Sequence, residues 1–179
     1  YISWGWTEGD GCVPGFVFTC AGRKPSQVDD VGGLLLIENI LGEQNTYFFD
    51  IHHDFTLYME EQFCFVENLP ERIHNRLTVR LHREYSMARS FEDLRWKDRS
   101  PHTQLEAGII NIRKLIKQSR LVVYSYDSTG ILEALAMNIP IMCFWRDGLN
   151  HLLPSAKPHY ELLADAGILF FSPEEIAKS

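Results

Sequence analysis

Long apolar runs, clustered basic residues and paired cysteines are all missing from this 179-residue chain, and each absence removes a class of function. No stretch approaches the roughly eighteen apolar residues that begin to suggest a membrane-spanning helix, and no basic segment followed by an apolar one opens the chain. The expected setting is therefore cytoplasmic, which is compatible with a peripheral place at the inner membrane. Lysine and arginine number 17 against 24 aspartates and glutamates, a net charge of −7. That balance argues against a nonspecific surface for nucleic acid or anionic membrane, which needs clustered cations to displace counterions. A small anionic ligand remains allowed, because a pocket needs only a few local cations. Cys12, Cys20, Cys64 and Cys143 show neither C-x-x-C spacing nor histidine pairing at zinc-finger intervals. They suit a reducing compartment, as small buried hydrophobes. His52-His53-Asp54 invites a metal, but neighbouring side chains point apart and no third ligand follows at i+3 or i+4. No metal site is expected there.

What the chain does have is a core: 45% apolar and 12% aromatic residues, enough for one domain over 1–179. It opens at Tyr1 and stops at Ser179, inside what reads as the first turn of a helix, so a longer protein with a partner domain is expected. Residues 1–24 read as turns around one extended piece at 16–20, with Trp4-Gly5-Trp6 either a binding-cleft turn or a hydrophobic cluster. A first core strand is expected over 34–40, a helix over 54–68 and a helical turn from Pro70. The alternation of LTVRL predicts a strand over 77–81, followed by a polar loop over 82–102 with one helical turn at 91–96. Leu105, Ile109, Ile112, Leu115 and Ile116 form a stripe that predicts a helix over 103–118. Strands at 121–125, 140–144 and 168–171 then alternate with helices at 128–138 and 159–166. This rhythm predicts an α/β fold, a Rossmann-like parallel sheet with helices on both faces.

Ligands of such sheets collect beyond the carboxyl ends of the strands. The turn after the strand at 121–125 is rich in hydroxyls: Ser125, Asp127, Ser128 and Thr129 precede a helix whose first amides, with Gly130, face an anion as a partial positive charge. Asp127 or Ser128 is expected to cap that helix. Thr129, Gly130, Glu133 and Met137 share one helical face, with Ile131, Leu132, Leu135 and Ala136 toward the sheet. Glu133 then lies on the pocket side, placed to accept hydrogen bonds from vicinal sugar hydroxyls. The plain alternative is an ordinarily capped helix with an acid near its start. Arg80 and His82 alternate onto one face at the end of the 77–81 strand, where they can neutralise a diphosphate without a metal; Arg83 at the exit reads more readily as a solvated loop charge. Ser128 has no G-x-S-x-G frame, which disfavours a Ser-His-Asp hydrolase.

Five segments in sequence order, WGW at 4–6 with VPG at 13–15, VRLH at 79–82, SRLVVYSYDSTGILEALAMNIP at 119–140 and DAGILF at 165–170, carry a family resemblance over most of the chain. The chain resembles the C-terminal, donor-binding half of GT-B glycosyltransferases, most nearly transferases found with bacterial surface-carbohydrate genes. In that wider fold an Arg or His-Pro pair and a Ser-Ser or Ser-Thr pair hold the donor's phosphates. Ser128-Thr129 matches the second pair, whereas His82 is followed by Arg83, which counts against a CMP-sugar donor. The resemblance implies a metal-independent transferase that moves a sugar or polyol phosphate from a nucleotide-activated donor to a glycan or lipid-linked acceptor, with no further cofactor. Ser125, Asp127, Ser128, Thr129, Gly130 and Glu133 would bind the donor, and Arg80 and His82 would act on the departing nucleotide. The catalytic base would belong to an N-terminal acceptor domain outside this chain. Two other classes share part of the pattern: a nucleotide-sugar epimerase or hydrolase, and a noncatalytic module that binds a glycan or protein through its aromatic N-terminal segment.

Overall fold

The computed structural model describes residues 2–3, 7, 9–15, 17–22, 29–40, 55–88 and 91–179. Trp4-Gly5-Trp6 and His52-His53-Asp54 lie outside the described residues. Near the start, β1 (Ile2–Ser3) and β2 (Val13–Pro14) pair in parallel. The main sheet comprises β3 (Gly33–Ile37), β4 (Leu77–Arg80), β5 (Gln104–Glu106), β6 (Ser119–Tyr124), β7 (Ile141–Phe144) and β8 (Leu169–Phe170). Its six strands are all parallel and run in the order β5-β4-β3-β6-β7-β8. The chain starts in the middle, winds out to one edge, returns and winds to the other. This is the doubly wound Rossmann order, and it opens a crevice where the winding reverses, between the carboxyl ends of β3 and β6.

Among the described residues, seven α-helices cross between or follow these strands: α1 (Phe55–Asn68), α2 (Glu71–His74), α3 (Glu92–Arg99), α4 (Ile112–Lys117), α5 (Thr129–Ala136), α6 (Lys157–Asp165) and α7 (Pro173–Lys178). Strands buried on both faces need apolar side chains at successive positions, and β3 supplies them. Leu34 and Leu36 join a cluster with Tyr58, Phe63 and Phe65 of α1, Trp96 of α3 and Ile176 of α7. Leu35 and Ile37 join the opposite cluster, with Leu115 and Ile116 of α4, Ile131 and Ala134 of α5, and Tyr160 and Leu163 of α6. Each cluster fills one side of the sheet, so helices cover both faces.

Four expectations are corrected. The extended piece at 16–20 is a 3-10 turn at Phe18–Cys20, closed by the Cys20 amide on the Val17 carbonyl at 2.9 Å. The first core strand stops at Ile37, because the Asn39 amide leaves the sheet for the Tyr58 hydroxyl at 2.8 Å. Residues 82–102 hold the eight-residue helix α3, anchored by the fully buried Trp96, instead of a single turn. The helix expected over 103–118 is split into β5 and α4. Gly108, at φ +74°, breaks it, and the Glu106 carboxylate accepts the amides of Gly108, Ile109 and Ile110 at 3.1, 2.7 and 2.9 Å. Ile109, read as part of the buried stripe, is 86% exposed.

Candidate functional site

Two of the expected groups arrive from opposite sides of the crevice, on one face of the sheet and at one end. Arg80 pairs in register with Ile37, and Ile37 with Tyr124, so all three side chains project to the face that α4, α5 and α6 cover. One strand separates β4 from β6, so Arg80 and Tyr124 stand about two strand spacings apart, roughly 10 Å, and α5 begins a short turn beyond Tyr124.

Arg80 is held in an unusual way. Its Nε lies 3.4 Å from Glu106 Oε2, with the side chain 14% exposed. Glu106 is already engaged by three amides, and Arg80 Nε, though buried, makes no hydrogen bond. Among the described residues none accepts a hydrogen bond from this guanidinium, whose ion-pair partner is Glu106. Burying a guanidinium without acceptors costs free energy unless a ligand supplies them. His82 follows, half-buried, with Nδ1 accepting the Glu84 amide at 3.2 Å. Burial, reinforced by Arg80 and Arg83 and opposed by Glu84, holds its imidazole below the usual histidine range, so it is mostly neutral near pH 7. His82 thus offers a hydrogen bond, while the fixed charge is that of Arg80. Arg83 is exposed and pairs with Glu84 at 3.4 Å.

The β6–α5 turn supplies the other side. Ser128, not Asp127, is the N-cap: its Oγ accepts the Gly130 amide at 3.1 Å. Thr129 is exposed at the first helical position. Gly130 lets the turn approach Tyr124, since a Cβ there would meet the ring Cε1 at 2.8 Å and the hydroxyl at 3.1 Å. Gly130→Ala is expected to lower stability by about 1–3 kcal/mol through this crowding, seen as a lower urea midpoint; an unchanged midpoint would show that the turn gives way freely. Glu133 is half-buried, and its charge is the third contributor, after burial and Tyr126, in pushing the Tyr124 phenol up. The Cys20 thiol donates to the Glu133 carbonyl at 3.6 Å, which packs the early 3-10 turn beside α5. Along this helix Ile131 and Ala134 face the sheet; Leu135 and Ala136, expected there, are exposed.

Ser125 and Asp127 are committed to protein partners. Ser125 is fully buried, and its hydroxyl donates to the Ile37 carbonyl at 3.3 Å while accepting from Tyr58 at 2.9 Å. Tyr58 in turn accepts the Asn39 amide, so one chain of hydrogen bonds ties β6, β3 and α1 under the crevice. The Ser125 hydroxyl is thereby fully used within the protein. Asp127 receives the Tyr160 hydroxyl at 2.9 Å on Oδ1 and His151 Nε2 at 3.0 Å on Oδ2. The sequence reading missed Glu106, Tyr58, His151 and Tyr160, together with a buried pair, Glu38 and Glu92, in which both Glu38 oxygens accept from Trp96 Nε1 at 3.1 and 3.2 Å. Polar residues directly after an apolar run were the only available signal for Glu38.

A cavity of about 380 Å³ lies elsewhere, at the amino ends of the strands, among Gly33, Arg76, Thr78, Gln104, Gln118 and Ser119. That is the end of a doubly wound sheet where ligands do not collect. Among the described residues no three His, Cys, Asp or Glu side chains are grouped to hold a metal, and no helix is long and apolar enough to cross a membrane. Cys20, Cys64 and Cys143 form no disulfide, and Cys12 and Cys143 are buried.

None of the curated proteins matches the chain. A solved structure, of WaaG, a glycosyltransferase involved in lipopolysaccharide biosynthesis, is similar over 84% of this chain and 37% of that one, at 17% identity and a TM-score of 0.47. The chain thus spans well under half the length of that protein. The model of one family, described as LIC12162 family transferase, matches residues 1–179. By that match over its whole length, the chain belongs to the LIC12162 family of transferases.

Proposed function

We propose that the chain is the donor-binding domain of a metal-independent glycosyltransferase of GT-B architecture, one that transfers a sugar or polyol phosphate from a nucleotide-activated donor to a bacterial surface glycan or its lipid-linked precursor. The observation that carries this reading is the Arg80 guanidinium, 14% exposed and donating no hydrogen bond to a described residue, on the sheet face where α5 begins. A cation with free donors on one side and a helix N-terminus on the other fits a ligand whose negative charges are spread over a diphosphate.

In this reading the Thr129 and Gly130 turn and the Ser128 and Thr129 hydroxyls hold one phosphate, and Arg80 holds the other. His82 donates a hydrogen bond from its neutral ring. As the bond to the transferred group breaks, negative charge grows on the departing phosphate, and donors fixed in advance stabilise that charge more than they stabilise the bound donor. Glu133 accepts hydrogen bonds from donor hydroxyls. Ser125 keeps β3 and β6 at the spacing the site needs, and Asp127 sets the loop beside it. The base that activates the acceptor comes from a second, N-terminal domain, and the enzyme works in the cytoplasm or at the inner membrane surface.

The test is a screen of the full-length protein with UDP, CMP, CDP and GDP donors, each with excess chelator. The expected result is release of the free nucleotide from one donor class, unaffected by chelator. Turnover of none of them, or activity that the chelator abolishes, would contradict the reading.

A further inference from the structure

One corner of the main sheet carries polar side chains where the rest carries apolar ones. Helices α4, α5 and α6 share their cluster with side chains of β3, β6, β7 and β8, and β4 and β5 contribute none to it. On the opposite face the same two strands supply Leu77, Val79 and Leu105 to the core. On the α4 side, Leu35 pairs in register with Thr78, and Thr78 with Gln104, so these side chains form one row across β3, β4 and β5.

A sheet face left to solvent also carries polar side chains, but this row lies at the bottom of a hollow. Ile110 and Leu115 rise beside it, and with Arg76, Gln118 and Ser119 at the amino ends they bound the cavity of about 380 Å³. That volume falls at the small end of the roughly 300–1,000 Å³ occupied by small-molecule sites. The walls are fixed in advance. The Glu106 carboxylate holds the Ile110 amide at 2.9 Å, and the Ser119 hydroxyl donates to the Leu115 carbonyl at 2.8 Å, which leaves its lone pairs able to accept. Nucleotides of a doubly wound sheet gather at the other end of the strands, so an occupant here is a second ligand with chemistry of its own.

The lining defines that chemistry. Arg76 brings a positive charge, and the ten lining residues include no Asp or Glu to cancel it. Its Nη2 donates to the Val31 carbonyl, which steadies the guanidinium, and among the described residues no carboxylate pairs with it. Thr78, Gln104 and Gln118 add a hydroxyl and two amides, groups that both donate and accept. Among the described residues none of these three side chains spends its hydrogen bonds elsewhere. Leu35, Ile110 and Leu115 supply apolar surface between them. Donor–acceptor groups set around apolar surface match a sugar ring, whose hydroxyls surround a C–H face, and the guanidinium matches a charged group attached to it.

We propose that this cavity binds a polyol of single-sugar size that carries one anionic group, a phosphate or a carboxylate. Arg76 holds the anion, and Thr78, Gln104 and Gln118 bind the hydroxyls. The inference stands apart from the donor-site reading, since the two sites use opposite ends of the strands and share no residue.

The test is titration of the full-length protein with glucose 6-phosphate, glucuronate, glucose and inorganic phosphate, followed through the backbone amide NMR signals of residues 33–35, 104, 110 and 118–119. The expected result is that glucose 6-phosphate or glucuronate moves these signals together, and which of the two does so identifies the anion as phosphate or carboxylate. Glucose, which lacks the charge-assisted bonds, binds at least about tenfold more weakly, and inorganic phosphate is weaker as well. Arg76→Gln, which removes the charge, lowers affinity for the anionic sugar by about tenfold or more, and Thr78→Val lowers it by less. UDP does not displace the anionic sugar. No movement of these signals with either anionic sugar, binding no tighter than that of glucose, unchanged affinity in both variants, or displacement by UDP would overturn the inference. Should Arg76→Gln fail to fold, Thr78→Val and the comparison with glucose decide it.

Discussion

Replacing Glu38 with glutamine is expected to make the protein more stable than the wild type at neutral and alkaline pH, with the two converging in acid. Glu38 leaves the end of β3 with 1% of its surface exposed and, among the described residues, the Trp96 indole N–H as the one donor to its carboxyl oxygens. Burial, and next the neighbouring Glu92, raise it well above its ordinary value of 4.5, against the opposing effect of the Trp96 hydrogen bond. The folded protein therefore keeps this proton at pH values where the unfolded chain has lost it. The unfolded state then binds fewer protons, so stability falls as pH rises. The stabilisation is fully present below 4.5 and is lost as pH climbs through the folded value. At its steepest this slope is about 1.4 kcal/mol per pH unit.

Glutamine keeps the shape and one acceptor for Trp96 but never ionises, so Glu38→Gln should lose that slope and relieve Glu92 as well. Urea unfolding at a series of pH values checks this; parallel curves for the two proteins would mean that Glu38 is not protonated in the fold. The partner change is Trp96→Phe. It removes the indole N–H that donates to a buried carboxyl group, and some of the packing against Phe63, whose ring lies 4.8 Å away. A loss of about 1–3 kcal/mol is expected from the orphaned acceptor alone.

Arg80→Ala is expected to weaken binding of a nucleoside diphosphate or its sugar by roughly 10- to 150-fold, the equivalent of losing charge-assisted hydrogen bonds worth about 1.5–3 kcal/mol. The fold should survive. Glu106 keeps its three amide donors when the guanidinium goes, so its carboxylate is not left without partners. Arg80→Lys should fall between, because an ammonium supplies charge without the planar fork. Arg83→Ala is the control: that side chain is 73% exposed and paired with Glu84, and its loss should change neither affinity nor stability measurably. Titration calorimetry on the four proteins separates these outcomes. Equal affinity for wild type and Arg80→Ala would mean that the guanidinium is a structural partner of Glu106 alone.

The strands nearest the site were legible because a parallel strand covered on both faces reads as a continuous branched apolar run, as at Leu121 to Tyr124 and Ile141 to Phe144. The start of α5 was legible too, since Ser128 carries its own capping chemistry within two residues of the amide it binds. What failed depended on distance along the chain. β5 has three residues, too few for a period to register, and only pairing with β4 makes it a strand. Ser125 looks like one more hydroxyl of the turn, but its partner Tyr58 is 67 residues away, and that contact holds it buried beneath the carboxyl ends of β3 and β6. Asp127 is tied to His151, 24 residues on, in a loop without any periodic signal. The residues that decide whether a polar group is free or occupied come from other elements, and local spacing does not report on them.

The most direct measurement is the position of a bound nucleoside diphosphate in a crystal of the full-length protein. The account predicts phosphate oxygens within hydrogen-bond distance of the Arg80 guanidinium and of the Thr129–Gly130 turn, at the carboxyl ends of β4 and β6. A ligand seated among Arg76, Gln104 and Ser119 at the amino ends of the strands, with Arg80 touching only Glu106, would contradict it.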